Sequence, residues 1–324
     1  MKVSTKGVKK TWRIIEIIKW GEEYFKIKGF ENPKQEIEWL LCDLLQLKRI
    51  DLYLKFEDII NKSKLKKLKS WIKRRIQREP LQYITGKVEF YGLRLISTPQ
   101  ALIPRPETER LVDITLNSLE KIPEPKILEI GTGSGCVSIA VSNKKPKANI
   151  VSLDISKDAL ELAEINAKSN NCKNINFLEM DFLSEIPDDK FDILISNPPY
   201  ISQKEIKNIM PEVKNYEPRI ALTDFEEGLN FYYRIAKVGR TLIPNGIIIL
   251  EVGLGKHPQK VFSLFKEAGF DQLELIKPKG LIFLEVGLGE HPQKVFSLFK
   301  ESGFDQLQLI KDFNNNERIL KICI

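Results

Sequence analysis

A regular alternation of short apolar segments and helical segments from residue 126 onward constrains the fold more than any other feature of the chain. The apolar segments read KILEIG, ANIVSLDIS, INFLEMD, FDILISN and GIIILEVG. Strands that alternate with helices are joined by crossovers, and crossovers place neighbouring strands parallel. The alternation therefore predicts an α/β fold in which helices cover a parallel sheet.

The first part of the chain has a different periodicity. It contains three amphipathic segments with helical spacing, and the second opens with Asn32 as an N-cap and Pro33 at the first helical position. With 324 residues the chain is long for a single core. We therefore predict a separate domain, a small helical bundle, at residues 1–80.

Two short β-rich pieces follow the predicted bundle. They lie around Gly86 and Gly92 and predict a β-hairpin connector at 81–106. The stiff segment IPRPETE then leads into a helix, and the α/β domain occupies 107–324.

The net charge of +7 is unevenly distributed. Residues 1–80 carry a net charge of +10, and the other 244 residues carry −3. Much of the positive charge lies in NKSKLKKLKSWIKRRIQR at 61–78. This stretch is either a solvated helix face or a patch that binds an acidic protein partner or RNA, and charge alone does not choose between them.

Composition argues against membrane and secreted classes. No apolar run approaches the roughly 20 residues that a membrane-spanning helix needs, and the basic N-terminus lacks the apolar segment of a signal peptide. Four cysteines lie far apart without a CxxC spacing: Cys42, Cys136, Cys172 and Cys323. We expect a cytoplasmic protein without membrane contact, whose cysteines are reduced, buried thiols and form neither disulfides nor a metal site.

A tandem repeat occupies the C-terminal tail. Residues 244–277 and 278–311 align without gaps, and 28 of the 34 pairs are identical. Two copies are too few for a solenoid, so the repeat is a recent duplication or an assembly fault of the sequence. One copy should complete the sheet, and the other should attach at its edge or be displaced. The two histidines, His257 and His291, are the same position in the two copies, which favours helix-start residues over catalytic bases.

A glycine-rich loop follows the first strand of the α/β domain. In EIGTGSG, Gly131, Gly133 and Gly135 permit a tight turn and a close approach of the backbone to a ligand. Asp154 ends the second strand, 23 residues after Gly131, where a carboxylate can accept both hydroxyls of a ribose. The alternative for Asp154 is a helix N-cap, since a helical segment follows it.

The loop favours S-adenosylmethionine over a dinucleotide. The dinucleotide motif GxGxxG needs its third glycine at the position of Cys136, and the acidic Glu129 suits a cationic ligand better than phosphates. The third strand end supplies Asp181 and Phe182, which are placed to reach the edge and the face of an adenine. Phe182 is alternatively a core residue.

The tetrapeptide Asn-Pro-Pro-Tyr follows the fourth strand. Parallel sheets bind ligands at the carboxyl ends of their strands, so Asn197 should lie beside the glycine loop. An amide or aromatic amine is a poor nucleophile because its lone pair is delocalised. The side-chain oxygen of Asn197 and the carbonyl of Pro198 can accept its N–H groups in the transition state, while Pro198 and Pro199 fix these acceptors beforehand. Tyr200 offers a ring for a planar group; alternatively, Asn-Pro is only a turn signal.

These motifs resemble those of a known family. NPPY at 197–200 with EIGTGSG at 129–135 is shared by methyltransferases that act on amino groups of adenine, cytosine and glutamine. The segments EPLQYITGKVEFYGLRL (79–95), LIPRPETE (102–109) and YEPRIAL (216–222), with the helical N-terminus, are similar to those of the HemK-type peptide chain release factor glutamine methyltransferases. The resemblance covers nearly the whole chain, and PRPETE is its specific element.

The resemblance implies an enzyme. It implies a Rossmann-like, seven-stranded S-adenosylmethionine methyltransferase sheet in 107–324 and a substrate-docking role for the helical domain at 1–80. The implied reaction is N5-methylation of the glutamine in the Gly-Gly-Gln motif of release factors, which are then its protein partners. We expect a monomer without a stable nucleic acid complex, and a weak RNA contact through the basic N-terminal domain stays open.

The family's site residues carry over to matching positions of this chain. The methionine part of the cofactor is implied to lie on five loop residues: Gly131, Thr132, Gly133, Ser134 and Gly135. Asp154 is implied to hold the ribose and Phe182 the adenine side. Asn197 is implied to contact both cofactor and substrate and to act in catalysis with Pro198. The pocket of the substrate amide is implied to consist of four residues: Asn197, Pro198, Pro199 and Tyr200.

Three features depart from the family pattern. Phe182 stands where many relatives have tryptophan, which should alter adenine affinity slightly. The segment LTDFEEGL at 222–229 lacks the usual glycine pair, which should reshape the rim of the pocket. The repeat at 244–311 is foreign to the family and concerns the edge of the sheet.

Three other functions stay open. An adenine N6 methyltransferase would use the same NPPY, but it needs a sizeable region that holds a flipped base. A glutamine methyltransferase acting on a ribosomal protein would share the chemistry and differ in its docking surface. A non-catalytic binding module would not need the loop, Asp154 and Asn197 together.

Overall fold

The structure is a computed structural model that describes residues 11–244, 246–253, 257–270, 273, 306–311 and 317–323, the last two ranges by their backbone alone. The chain divides into two compact units. The helical unit comprises Met1–Val88, Ile96–Ile103 and Lys207–Pro218, and the sheet unit comprises Glu89–Leu95, Pro104–Ile206 and Arg219–Ile324.

The helices and strands of the described residues follow one another in this order: β1 (Trp12–Arg13), α1 (Ile14–Ile27), α2 (Pro33–Leu45), α3 (Arg49–Leu54), β2 (Ile59–Ile60), α4 (Lys62–Arg75), α5 (Leu81–Thr85), β3 (Lys87–Phe90), β4 (Leu93–Ile96), α6 (Glu109–Ser118), β5 (Lys126–Ile130), α7 (Cys136–Lys144), β6 (Asn149–Asp154), α8 (Lys157–Ser169), β7 (Ile175–Glu179), β8 (Ile193–Ser196), α9 (Pro211–Tyr216), α10 (Asn230–Leu242), β9 (Ile247–Leu250), α11 (His257–Glu267), β10 (Gln306–Lys311) and β11 (Glu317–Cys323).

Most of the described residues before β3 form helices, as the sequence predicted. Five side chains that are 0% exposed lie at the centre of the helical unit: Phe25, Ile37, Leu40, Leu41 and Leu52. They come from α1, α2 and α3 at helical spacing, so burial of one apolar face per helix accounts for the packing. Helix α2 begins at Pro33 after Asn32, in agreement with the predicted start.

The arginines of the basic stretch at 61–78 are internal ion-pair partners. The Arg75 guanidinium donates to Glu36 at 2.7 and 2.8 Å and to Glu212 at 3.2 Å. Arg74 pairs with Glu79, and Arg78 also reaches Glu212. Five lysines of the same stretch stay exposed: Lys62, Lys66, Lys67, Lys69 and Lys73. The free positive charge of α4 is therefore carried by lysines, because its arginines are bound to carboxylates.

Strands β3 and β4 form a two-stranded sheet. The two residues between them, Tyr91 and Gly92, have φ angles of 52° and 74°. Positive φ at both central residues is typical of the tight turns that join hairpin strands.

The sheet unit is built on a parallel sheet of five strands in the order β7-β6-β5-β8-β9. The predicted α/β fold is confirmed at this level. The family resemblance implied seven strands; in the described residues β10 and β11 pair antiparallel with each other as a separate sheet. Ile130 at the end of β5 is in register with Leu153 of β6 and Ser196 of β8. The carboxyl ends of the three central strands therefore meet at one edge.

The first copy of the repeat supplies the edge strand of this sheet. Strand β9 and helix α11 both lie within 244–277, and β9 pairs with β8. Of the second copy, only the backbone of Gln306–Lys311 is described, so His291 lies outside the described residues.

The described cysteines are free, and each is partly buried rather than fully buried as predicted: Cys42, Cys136 and Cys172. The side chain of Cys323 lies outside the described residues. Across the described ranges, the helices are too short or too polar for any of them to traverse a bilayer.

Candidate active site

The glycine loop (131–135) leaves β5 between the ends of β6 and β8. Its amides at Gly131 and Thr132 donate to the carbonyl oxygen of Leu153 in β6, at 2.8 and 3.0 Å. On the other side, a Cβ added at Gly131 would lie 3.9 Å from the carbonyl oxygen of Asn197. The loop and the NPPY segment are therefore neighbours, as the strand-end argument predicted.

Glycine is required at specific positions of this loop. Gly133 and Gly135 have φ angles of 55° and 79°, in the left-handed region that side chains disfavour. A Cβ at Gly135 would also lie 2.9 Å from the Ile139 side chain and 3.0 Å from Cβ of Ala163. Helix α7 starts directly after Gly135, so a larger residue there would push the loop away from the helices.

A buried carboxylate in β5 is hydrogen-bonded to the loop. Glu129 is 4% exposed, and its Oε2 accepts from Oγ1 of Thr132 at 2.6 Å and from Oγ of Ser152 at 2.9 Å. Burial raises the pKa of Glu129, although the hydroxyl donors oppose this shift. The side chains of Thr132 and Ser134 are both 3% exposed, and the Ser134 carbonyl accepts from Nδ2 of Asn166 at 3.0 Å. A ligand on the loop would therefore meet mainly backbone atoms at these two positions.

Asp154 ties the end of β6 to the glycine loop. Its Oδ2 accepts from the amide of Gly133 at 2.8 Å, and its Oδ1 accepts from the amide of Ser156 at 2.9 Å. Burial raises the pKa of Asp154, and the amide donors oppose this shift. The N-cap of α8 is Ser156, whose Oγ accepts from the Ala159 amide at 3.2 Å. The alternative interpretation of Asp154 as the N-cap is therefore wrong.

A cavity of about 170 Å³ opens beside the loop. The residues that line it include a glycine, two carboxylates and three aromatic rings: Gly131, Asp154, Asp181, Phe182, Phe225 and Phe231. Phe182 is 3% exposed and also packs in the core cluster under the sheet, so both interpretations of this residue describe its position. Apolar walls with carboxylates suit an adenosine group, which has a flat base and a diol but no charge.

The proline corner (197–200) lies beside Gly131 of the loop, and its residues are not part of the cavity lining. Nδ2 of Asn197 donates to Oγ1 of Thr108 at 3.2 Å, and Oγ1 of Thr108 donates to Oε2 of Glu251 at 2.8 Å. Because the amide nitrogen of Asn197 is engaged, its oxygen is the group available to a substrate. Burial raises the pKa of the Tyr200 side chain. The main-chain carbonyl oxygen of Tyr200 lies only 2.1 Å from the position that a Cβ would take at Gly228.

His257 joins the segments around this corner. It begins α11, as predicted, and its Nδ1 accepts from the amide of Gly253 at 3.1 Å. Since Nδ1 is an acceptor, Nε2 carries the proton and donates to the carbonyl of Gly228 at 3.0 Å. The His257 ring lies 6.0 Å from the Tyr200 ring. His257 therefore supports the corner structurally.

Sequence reasoning assigned no role to Thr108 or Glu251. Thr108 lies in the PRPETE segment, which the resemblance singled out without giving this residue a function. Glu251 follows β9 at the same edge as Asn197, which was a usable signal. A polar residue directly after a strand of a parallel sheet is a site candidate whichever strand it follows.

Comparison with known proteins identifies the family. Residues 16–86 match the PrmC N-terminal domain, and residues 110–214 match the methyltransferase small domain. The release factor glutamine methyltransferase of Geobacter sulfurreducens is 37% identical over 261 residues, covering 80% of this chain and 90% of the relative. That of Fusobacterium nucleatum is 38% identical over 277 residues, covering 84% and 78%. The chain belongs to the release factor glutamine methyltransferase family.

The family assignment confirms the predicted reaction class. The chain is an S-adenosylmethionine-dependent methyltransferase. The two matched regions include helices α2 to α5 of the N-terminal part and strands β5 to β8 of the parallel sheet. A solved release-factor-specific protein-(glutamine-N5) methyltransferase from Alicyclobacillus acidocaldarius is 22% identical, with a TM-score of 0.30, covering 70% of this chain and 96% of that chain. The family assignment depends on the sequence relatives.

Proposed function

We propose that this release factor glutamine methyltransferase family member methylates N5 of the glutamine in the Gly-Gly-Gln motif of peptide chain release factors. The observation that carries the proposal is the Asn197 amide, whose nitrogen is bound to Thr108 beside the glycine loop. This arrangement leaves an oxygen acceptor at the edge where the loop and cavity lie. The curated relatives bear the corresponding name at 37% and 38% identity.

The chemistry of a glutamine amide explains why such an acceptor is needed. The amide lone pair is delocalised, so the nitrogen must pyramidalise before it can accept a methyl group. Oδ1 of Asn197 and the carbonyl oxygen of Pro198 each accept a hydrogen bond from an N–H group of the substrate amide. These two bonds stabilise the transition state, in which the nitrogen gains positive charge. One proton of this nitrogen leaves to water after transfer, and the product keeps one N–H.

S-adenosylmethionine supplies an electrophilic methyl group on a sulfonium sulfur. We assign the backbone of 131–135 to its methionine part, Asp154 to its ribose and Phe182 to its adenine. The two carboxylate oxygens of Asp154 already accept two amides, so Asp154 orders the loop as well as offering lone pairs to hydroxyls. Pro199 and Tyr200 complete the wall around the substrate amide.

The two units take separate roles in this proposal. The helical bundle at 1–80 docks the release factor, and residues 81–106 with their hairpin connect it to the methyltransferase domain at 107–324. The sheet reaches the seven strands of the family when β10 and β11 join its edge. The enzyme acts as a monomer in the cytoplasm, without a stable nucleic acid complex.

A labelling experiment tests the reaction and its substrate together. The protein is incubated with labelled S-adenosylmethionine and, in separate samples, a release factor, its Gly-Gly-Gln loop variant with Gln→Ala, ribosomal proteins, and DNA. We expect label in the release factor alone, and loss of label in the loop variant. Label in DNA would favour an adenine methyltransferase, and label in a ribosomal protein would favour the neighbouring glutamine methyltransferase. Either result would overturn the proposal.

A further inference from the structure

Three side chains from distant segments form a directed chain of hydrogen bonds. Asn197 follows β8, Thr108 precedes α6, and Glu251 follows β9. Nδ2 of Asn197 donates to Oγ1 of Thr108 at 3.2 Å, and Oγ1 donates to Oε2 of Glu251 at 2.8 Å. Thr108 is 3% exposed, so its hydroxyl depends on these protein partners rather than on water.

The order of donors and acceptors sets the direction of the chain. A threonine hydroxyl has one proton, and a carboxylate is an acceptor only. While Glu251 takes that proton, Oγ1 of Thr108 can only accept from its other neighbour. The neighbour must then present N–H, so the Asn197 amide is held with nitrogen toward Thr108 and oxygen away from it. If Glu251 could not accept a hydrogen bond, the Thr108 hydroxyl could rotate, and the Asn197 side-chain amide could then flip and exchange the positions of its oxygen and nitrogen.

We propose that Thr108 and Glu251 are positioning residues that hold the Asn197 amide oxygen toward the substrate nitrogen. This inference rests on the proposed function, because it concerns how the acceptor at Asn197 is oriented. A correctly oriented acceptor avoids reorganisation at the moment of reaction, which is where oriented dipoles contribute most to catalysis.

The backbone of Glu251 is hydrogen-bonded on both sides of its Cα. Its amide donates to the carbonyl of Ser196 at 2.9 Å, one residue before Asn197. Its carbonyl accepts from Oη of Tyr232 at 2.7 Å, and Tyr232 is 0% exposed. These two bonds fix the backbone from which the Glu251 carboxylate reaches Thr108.

Glu251 titrates in a mixed electrostatic environment. Burial raises the pKa of its carboxyl, hydrogen bonds from Thr108 and Asn197 oppose this shift, and the net direction is upward. The titratable or charged groups that interact with it are Arg105, Glu107, Cys136, Tyr200 and Tyr232. Only the carboxylate form serves as a pure acceptor for Thr108, so kcat should fall as the pH is lowered through this raised pKa.

Substitutions at Thr108 separate a hydroxyl effect from a packing effect. Thr108→Val keeps the shape and removes the hydroxyl, and Thr108→Ser keeps the hydroxyl. We expect Thr108→Val to lower kcat about tenfold to a hundredfold, with cofactor Kd and substrate KM within about threefold. Thr108→Ser should restore kcat to within about threefold of the wild type. If Thr108→Ser fails like Thr108→Val, or if cofactor Kd rises with the loss of kcat, Thr108 is structural and the inference is wrong.

The repeat offers a matched control for the carboxylate. Glu285 occupies in the second copy the position of Glu251 in the first, within an identical LEVGLG segment. Glu251→Gln should lower kcat about tenfold and remove the acid limb of the kcat–pH profile, whereas Glu285→Gln should leave both unchanged. Equal activity and an equal pH profile for Glu251→Gln and the wild type would overturn the inference, as would an effect confined to Glu285→Gln.

Asn197→Ala in the same series distinguishes this inference from the proposed function. If Asn197→Ala is inactive and Thr108→Val is fully active, the acceptor at Asn197 stands and the positioning role fails. If Asn197→Ala keeps wild-type activity, the proposed site fails, and the inference fails with it.

Discussion

The glycine loop after β5 and the proline corner after β8 lie side by side at one edge of the sheet, yet their backbones are opposite in kind. The loop depends on residues without side chains, with φ angles of 55° and 79° at Gly133 and Gly135. The corner depends on Pro198 and Pro199, whose rings restrict the backbone. The loop must come close to a ligand, and the corner must keep its acceptors still.

The two regions also differ in how they are supported. The loop is held by two carboxylates: Glu129 of β5 binds the Thr132 hydroxyl, and Asp154 of the neighbouring strand β6 binds the Gly133 amide. The corner is held by Thr108 through the amide nitrogen of Asn197. Substitutions in the loop should therefore weaken cofactor binding, and substitutions in the corner should lower the rate of methyl transfer.

The largest expected effect is that of Asn197→Ala at the corner. We expect methyl transfer to fall by about a thousandfold or more, because an acceptor that favours the transition state is lost. Cofactor Kd should stay within about threefold, since the loop is intact. Steady-state methylation of a release factor and calorimetric titration of the cofactor measure both quantities. Asn117→Ala, at an exposed position of α6, is the control and should match the wild type.

Gly135→Ala should be the most damaging change in the loop. We expect cofactor Kd to rise about a hundredfold, because the new Cβ clashes with Ile139 and Ala163 at an already strained φ angle. Gly133→Ala is the matched control, since a Cβ there meets nothing within 4 Å and adds conformational strain alone. Titration of both variants checks the order. A Gly135→Ala variant that binds the cofactor as well as Gly133→Ala would show that the close approach to α8 is unimportant.

Asp154→Ala should weaken cofactor binding more than it slows saturated turnover. We expect Kd to rise about tenfold to a hundredfold, because a charged acceptor of two loop amides is lost, and kcat to stay within about threefold. Asp158→Ala, an exposed residue in the first turn of α8, is the control. An unchanged cofactor Kd in Asp154→Ala would remove the role assigned to this residue.

Pro199→Ala should have the smallest effect of the four. The change leaves the Asn197 oxygen and the Pro198 carbonyl in place and adds only backbone freedom, so kcat should fall severalfold, by at most about tenfold. Cofactor Kd should not change. A rise in Kd with unaltered kcat would mean that the corner holds the cofactor and does not preset the acceptors.

The parallel sheet and the meeting of loop and corner were predictable because they follow from strand order. Apolar strands alternate with helices, and strand ends of a parallel sheet share one edge. The same argument reaches Glu251, which follows β9 at this edge. The contact of Glu251 with Thr108 was not predictable in this way, since 143 residues separate them and only the folded chain brings them together. The arginines of 61–78 illustrate the same limit, because Arg75 meets Glu212 from a distant part of the sequence.

The repeat shows a different limit of the sequence. Two segments with 28 identical residues in 34 have nearly the same strand propensity, so the sequence did not say which one completes the sheet. In the structure the first copy pairs with β8 through β9. The first copy reaches the sheet directly from α10, whereas the second is separated from it by the first copy.

Single-turnover methyl transfer at full cofactor occupancy tests the central claim most directly. Asp154→Ala and Asn197→Ala are each saturated with labelled S-adenosylmethionine and mixed, in excess, with a limiting amount of release factor. The account predicts that saturated Asp154→Ala transfers label within about threefold of the wild-type rate, and that equally saturated Asn197→Ala is slower by about a thousandfold or more. A wild-type transfer rate in saturated Asn197→Ala would contradict it.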